Sequence, residues 1–255
     1  MSVHHAAAVG FAAAADRYAA GRPDYPAAVA NWLRNDLALA PGATVVDLGA
    51  GTGKFLPALR NTGAALVAVE PVAAMRARIE TEQPDVTVLG GTAQAIALPD
   101  ASVDVVVCAQ AFHWFASAEA LAEIARVLRP GGRLGLIWNV RDASVAWVRR
   151  LTAILDEHQG DAPRHESGVW RRSFPAAGFG PLQERAWPHA HVGPAEAVVL
   201  DRSLSVSFIA ALPPEKRAEV ADALHGLVAD TPELAKGGTV RFPYVTRAYW
   251  CVRDG

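Results

Sequence analysis

Cysteine is nearly absent from this chain: it has 255 residues and two cysteines, Cys108 and Cys251. They lie far apart and form no Cys-x-x-Cys pair, which argues against a disulfide framework and a cysteine-based zinc site. Each sits in an apolar, strand-like run, where a free thiol behaves as a small buried hydrophobe. A basic surplus is missing too. Lys and Arg total 24 against 26 Asp and Glu, a formal net charge of −2. Nucleic-acid binders carry a basic excess or stripe, so no nucleic-acid partner is expected. Lysine is scarce while Ala and Arg are heavily used, which reads as coding bias, not function. No run of about 18 apolar residues occurs, so no membrane span is expected. The opening MSVHHAAAVGFAAAADRYAA lacks the basic start of a signal peptide, and Asp16 and Arg17 interrupt its alanines. A soluble, cytoplasmic protein is the expectation.

What is present is core material: 51% of residues are hydrophobic and 20% charged. Helical spacing runs over Ala27–Leu39 and stops at Pro41-Gly42. Short apolar runs at Thr44–Leu48, Ala65–Val69, Val86–Leu89, Ser102–Ala109 and Arg133–Asn139 read as buried strands. Helices are predicted between them at Lys54–Asn61, Val72–Thr81 and Ala118–Leu128, and Pro130-Gly131-Gly132 turns the chain into the fifth strand. Past Asn139 the pattern loosens. Residues 141–175 carry helical signal, Leu182–Val192 and Phe242–Val252 read as strands, and Pro213–Val228 as a helix. Alternation of this kind predicts βαβ units, a parallel α/β sheet, and a single domain without repeats.

The first strand runs into DLGAGTGKF, Asp47 to Phe55. In an open α/β sheet this is where ligands bind. A Walker loop needs Gly where Leu48 stands and a hydroxyl where Phe55 stands. The dinucleotide fingerprint needs a third glycine where Lys54 stands. A carboxylate beside the loop also repels a pyrophosphate at a helix N-terminus. Asp47 instead favours a ligand carrying positive charge, and Gly49, Gly51 and Gly53 let the backbone approach it closely.

Asp-x-Gly-x-Gly-x-Gly resembles the first motif of class I S-adenosylmethionine-dependent methyltransferases. LGGTAQAIALPDASVDVVVCAQAFHWF and ARVLRPGGRLGLI resemble the fourth-strand and fifth-strand segments of the Methyltransferase-11-like group. FAAAADRYAAGRPDYP and AFHWF are similar to a subset that includes trans-aconitate methyltransferase-like proteins. The resemblance covers roughly residues 11–140 and is loose beyond. It implies a Rossmann-like, seven-stranded, mostly parallel sheet with helices on both faces and the last strand antiparallel. Within the single domain 1–255, residues 1–40 would be lid helices, 41–140 the cofactor-binding core, and 141–255 an acceptor-side insertion with C-terminal strands. The implied cofactor is S-adenosylmethionine, leaving as S-adenosylhomocysteine.

The resemblance assigns cofactor contacts to Asp47, Gly49, Ala50, Gly51, Gly53, Pro71, Ala109 and Gln110, ribose binding to Glu70, and adenine contacts to Thr92, Ala93 and Gln94. Asp47 alone would also read as a helix cap, and Glu70 as a strand-end charge. Met75 would sit near ribose or adenine, or in the core. Tyr18 and Arg22 would close over the cofactor, with Arg22 on the methionyl carboxylate, or be a packed Tyr and a solvated Arg. Phe112, His113, Trp114, Trp138 and Arg141 would line the acceptor pocket. His113 is either a general base or an orienting donor. Trp114, Trp138, Trp147, Trp170 and Trp187 are spread over the acceptor half and Trp is usually core, but Trp114 and Trp138 end the fourth and fifth strands and would make a site they line apolar, while Arg141 favours a carboxylate. His189 and His191 share a strand face but have no third ligand, so no metal is expected; His4 and His5 belong to the terminus. The reading is methyl transfer to a small-molecule acceptor by a monomer or homodimer. Its rivals are an NAD(P)-dependent oxidoreductase and a non-catalytic S-adenosylmethionine-binding protein.

Overall fold

The structure is a computed structural model that describes residues 22–255. Tyr18 lies outside the described residues. Among those described, the strands are β1 Thr44–Leu48, β2 Ala65–Val69, β3 Thr87–Leu89, β4 Val103–Ala109, β5 Leu128–Arg141, β6 Gln183–Pro194 and β7 Thr239–Val252. They form one sheet in the order β3-β2-β1-β4-β5-β7-β6. The pairs β1–β2, β1–β4, β2–β3 and β4–β5 are parallel. β7 runs the other way: the Gly131 amide donates to Arg253 O (3.1 Å) and the Arg253 amide to Gly132 O (2.7 Å), while the Asp142 amide reaches back to Pro243 O at 3.1 Å. The expected Rossmann-like, mostly parallel sheet with its last strand reversed is therefore present.

The α-helices that frame the sheet include α1 Val29–Asn31, α2 Leu56–Arg60, α3 Ala73–Glu82, α4 Ala118–Val127, α5 Ala146–Asp156 and α6 Pro214–Ala229. Two differences from the sequence reading have physical causes. The continuous helix predicted over Ala27–Leu39 widens after α1, where the Leu37 amide bonds Trp32 O (3.0 Å) across five residues. The wider turn buries Trp32, Leu33 and Leu37 together. Gly135 on β5 makes room for them, since a Cβ there would stand 2.7 Å from Leu37 and 3.0 Å from Trp32. The fifth strand begins at Leu128, not Arg133. Leu128 pairs with Val103 and Arg133 with Val105, so residues 129–132 are an irregularity within the strand, held by Arg253.

Two compact units interleave along the chain. One comprises Tyr25–Trp138, Pro163–Trp187 and Thr246–Gly255. Its core joins Trp32, Leu33 and Leu37 to Val45, Leu56, Leu66, Ile79, Val105, Val107 and Ile137. In the other, the described residues are 22–24, Asn139–Ala162 and Pro188–Val245. There α5 buries Trp147, Val148, Leu151 and Leu155, α6 buries Val220, Leu224 and Leu227, and Trp147 packs 5.0 Å from Phe242. Among the described residues, no helix is long and apolar enough to cross a membrane.

Candidate functional site

The parallel strands β1 to β4 bring four carboxyl-end loops to one edge of the sheet, where open α/β folds bind ligands. The loop after β1 is pinned by amides. Gly49 and Ala50 donate to Val69 O (2.8 and 3.3 Å), and Gly53 donates to Ala50 O (2.9 Å). All three glycines have positive φ, at +73°, +58° and +79° for Gly49, Gly51 and Gly53. They do different jobs. A Cβ on Gly53 would stand 2.6 Å from Gln83 Nε2 and 2.9 Å from Leu56 Cδ1, so this glycine lets the loop seat on α2 and the end of α3. A Cβ on Gly49 would meet Ala111 at 2.9 Å, in the loop after β4. Among the described residues, a Cβ on Gly51 would meet only the Met75 sulfur, 4.0 Å away.

Asp47 and Glu70 end neighbouring strands and both are buried, at 1% and 5% exposure. Glu70 is held by backbone: its Oε2 accepts from the Gly51 amide and its Oε1 from the Val72 amide, each at 2.9 Å. Arg76 clips the same turn from below, donating to the carbonyls of Glu70 and Pro71 at 2.8 Å. Burial raises the Glu70 pKa against the lowering pull of those amides and of Arg76. Asp47 has no such support. Neither carboxylate oxygen has a hydrogen-bond partner among the described residues. Burial, and then the charge of Glu70, push its pKa up to about 7. A buried carboxylate without donors is costly; a cationic, hydrogen-bond-donating ligand would satisfy it. The residues present therefore fit an ammonium-bearing nucleoside, with Glu70 keeping acceptor capacity for hydroxyls.

The loop after β3 carries Thr92, Ala93 and Gln94. Thr92 and Ala95 exchange backbone bonds at 3.3 and 3.1 Å, and Ala93 is buried. The loop is moored to α4. Glu123 accepts from the Ile96 amide at 2.7 Å, and Arg126 donates to Ile96 O (3.0 Å), Leu98 O (2.9 Å) and Asp100 (2.6 Å). Glu123 and Arg126 also pair with each other at 2.8 Å. Neither stood out in the sequence, where i, i+3 charges read as a solvated helix face.

β4 ends at Ala109, and Gln110 follows with φ +58°, an uncommon conformation for a side-chain-bearing residue, its amide held by Ile137 O at 2.8 Å. The next turn, Phe112–Trp114, buries Phe112 against Phe115, Trp170 and Phe174. His113 Nδ1 accepts from the Trp138 indole N–H at 3.0 Å, so the two expected acceptor-side residues do meet. Trp138 sits in a larger cluster of His165, Trp170 and Tyr249, with ring centroids 4.7, 4.8 and 5.8 Å away. Arg171 lies over Trp170 and Tyr249 and pairs with Glu184. Burial drives the His165 pKa down to about 4. Sequence reasoning missed His165, Arg171, Glu184 and Tyr249, which lie 27 to 111 positions from Trp138 and share no motif with it.

Arg22 and Arg141 belong to the other compact unit. In that unit the segment ending at Asp24 is tied by its carbonyl, which accepts from Asn139 Nδ2 (3.0 Å) and His189 Nε2 (2.7 Å). His189 is thus a structural donor. Among the described residues, no group of three or more His, Cys, Asp or Glu side chains is arranged to hold a metal.

A family model described as a methyltransferase domain matches residues 46–136. The chain is 37% identical to an uncharacterized methyltransferase-like protein of Schizosaccharomyces pombe, over 91% of each chain. It is 39% identical to an uncharacterized methyltransferase of Mycobacterium tuberculosis, over 95% of this chain and 94% of that one. Among solved structures, a candidate type II methyltransferase from Anaeromyxobacter dehalogenans superimposes with a TM-score of 0.61 at 28% identity, over 91% of this chain and 96% of that one.

Proposed function

This chain belongs to the class I S-adenosylmethionine-dependent methyltransferases, and from that premise we propose that it binds S-adenosylmethionine at the β1–β4 edge and methylates a small-molecule acceptor. Membership decides between methyl and hydride transfer in favour of the former. One observation carries the cofactor reading: the Asp47 carboxylate, buried at 1% exposure with no donor to either oxygen among the described residues, beside a glycine loop. Asp47 would take the ammonium group, Gly51 the close backbone approach, and Glu70 the ribose hydroxyls. Met75, Pro71, Ala109 and Gln110 would flank the nucleoside, and Thr92, Ala93 and Gln94 the adenine. The bound cofactor supplies a sulfonium methyl, transferred by in-line displacement.

The chain's own residues orient and exclude water. Arg126 and Glu123 hold the adenine loop in place. Phe112, Trp138 and Trp170 make the region around His113 aromatic and dry, which suits a reaction in which positive charge disappears. Alignment of the two reactants then supplies most of the rate. The aromatic cluster supports a small acceptor. Calorimetric titration is the test. S-adenosylmethionine and S-adenosylhomocysteine should bind and NAD(H) should not; binding of NAD(H) without either would reverse the reading.

A further inference from the structure

Three loops at the strand ends are joined through one side chain. The loop after β1 hangs on the turn after β2, because the Gly51 amide donates to Glu70 Oε2 at 2.9 Å. That turn is held in its place by Arg76, near the start of α3. Arg76 Nη1 donates to Glu70 O and to Pro71 O, each at 2.8 Å, which occupies both of its hydrogens. The loop after β3 meets the same guanidinium at Gly90. A Cβ on Gly90 would stand 3.3 Å from Arg76 Cζ, 3.5 Å from Nε and 3.6 Å from Nη1. A point nearly equidistant from three atoms of one plane lies over its face, so Gly90 rests on the flat of the guanidinium. The backbone there makes no demand for glycine, since φ is not positive. What a side chain at 90 would meet is Arg76.

We propose that Arg76 is a positioning residue for the cofactor's nucleoside: it sets the separation between the Glu70 carboxylate, which would take the ribose, and residues 90–94, which would flank the adenine. The proposal rests on the methyltransferase reading above. Arg76 acts through Glu70 and Gly90, not by contact with the ligand. Its fork fixes the two carbonyls of the Glu70–Pro71 turn, and its face carries the next loop. A planar guanidinium can do both at once, which a point-charge ammonium cannot. The Arg76 charge also lowers the Glu70 pKa against the rise that burial causes, so it favours the ionised acceptor. Hydrogen bonds to a charged acceptor are the stronger kind, and ribose recognition is where that strength would be read.

Calorimetric titration with S-adenosylhomocysteine and with its 2′-deoxy analogue reads the ribose preference. The wild type should prefer the ribonucleoside by about 10–100-fold, as expected for a hydrogen bond to a charged group. Arg76→Ala suits a helix and clears the space over Gly90. It should bind S-adenosylhomocysteine about tenfold more weakly and cut the ribose preference below about threefold. A merely structural residue would lower the melting temperature and leave that ratio in place. Gly90→Ala approaches the same contact from its other side without removing a hydrogen bond. It should weaken S-adenosylhomocysteine binding by about threefold or more in the wild type, and by less than about twofold in the Arg76→Ala background. An unchanged ribose preference in Arg76→Ala overturns the proposal, as does a Gly90→Ala effect that is absent in the wild type or equal in both backgrounds. Should Arg76→Ala fail to fold, Gly90→Ala in the wild type decides: unchanged affinity and ribose preference overturn the proposal, and loss of both upholds it. Binding without any ribose preference in the wild type overturns the placing of Glu70 and this proposal with it. A wild type that binds no S-adenosylhomocysteine overturns the underlying methyltransferase reading instead.

Discussion

Asp47 and Glu70 are two buried carboxylates on adjacent strand ends, and the backbone satisfies only one of them. Glu70 takes the amides of Gly51 and Val72, while Asp47 has no donor among the described residues. Of the two, Asp47 is the carboxylate left unsatisfied among the described residues, and a cationic ligand would satisfy it. The other is built into the turn.

Asp47→Asn should separate binding from stability. Loss of one charge-assisted bond weakens S-adenosylmethionine binding by about 10–100-fold. The fold responds in the opposite direction. The Asp47 pKa is raised from 3.8 to about 7 in the folded protein, so its contribution to stability is complete below the unfolded value and lost as pH rises through about 7. The cofactor-free variant should therefore melt above the wild type at pH 8, by an amount on the order of a few kcal/mol, with the difference shrinking toward pH 5. Thermal melts across pH check this.

Cofactor binding should release a proton. A cationic ligand favours the ionised Asp47, so binding below pH 7 must expel the proton that burial retains. Between pH 5.5 and 7, affinity should rise by up to about tenfold per pH unit. Calorimetry in two buffers of different ionisation enthalpy measures the release, and Asp47→Asn should abolish it.

Gly51→Ala and Gly53→Ala should fail differently. Both sit at positive φ, which costs an alanine about 1–2 kcal/mol. At Gly53 the Cβ also runs into Leu56 and Gln83, so the melting temperature falls sharply. At Gly51 the described residues leave space for a Cβ, whose nearest neighbour is the Met75 sulfur at 4.0 Å. Gly51→Ala should stay folded and lose cofactor affinity. Equal losses of stability in the two variants would refute the division of labour.

Arg126→Ala should loosen the loop after β3, proposed above to flank the adenine. Three mooring points go at once: the carbonyls of Ile96 and Leu98, and the exposed Asp100. The ion pair with Asp100 is solvent-screened and contributes little. The carbonyl bonds dominate, at about 1–3 kcal/mol together. Hydrogen exchange in residues 92–100 should quicken and the cofactor Kd rise, with Glu70 and its turn unaffected.

The β1 and β2 boundaries were readable to the residue because each is a short apolar run closed by a turn signal, and Asp47 could be singled out because its charge discriminates among ligands. What was not readable depends on partners distant in sequence. The true start of β5 is set by Arg253, far downstream. The widened turn at Trp32 answers to Gly135. His113 was open between base and donor because no local pattern reveals which nitrogen Trp138 faces. The aromatic cluster joins residues from β5, two later segments and β7, which no spacing rule connects.

The order of strands in the sheet has a bearing on how the molecule is made. β6 is synthesised before β7 yet sits beyond it in the row, at the edge. Until Thr239–Val252 has been translated, β6 has no sheet to join, and β5 presents an unpaired margin where Arg253 will later dock. Closure of the sheet on that side therefore cannot precede the synthesis of β7, even though β6 is already made.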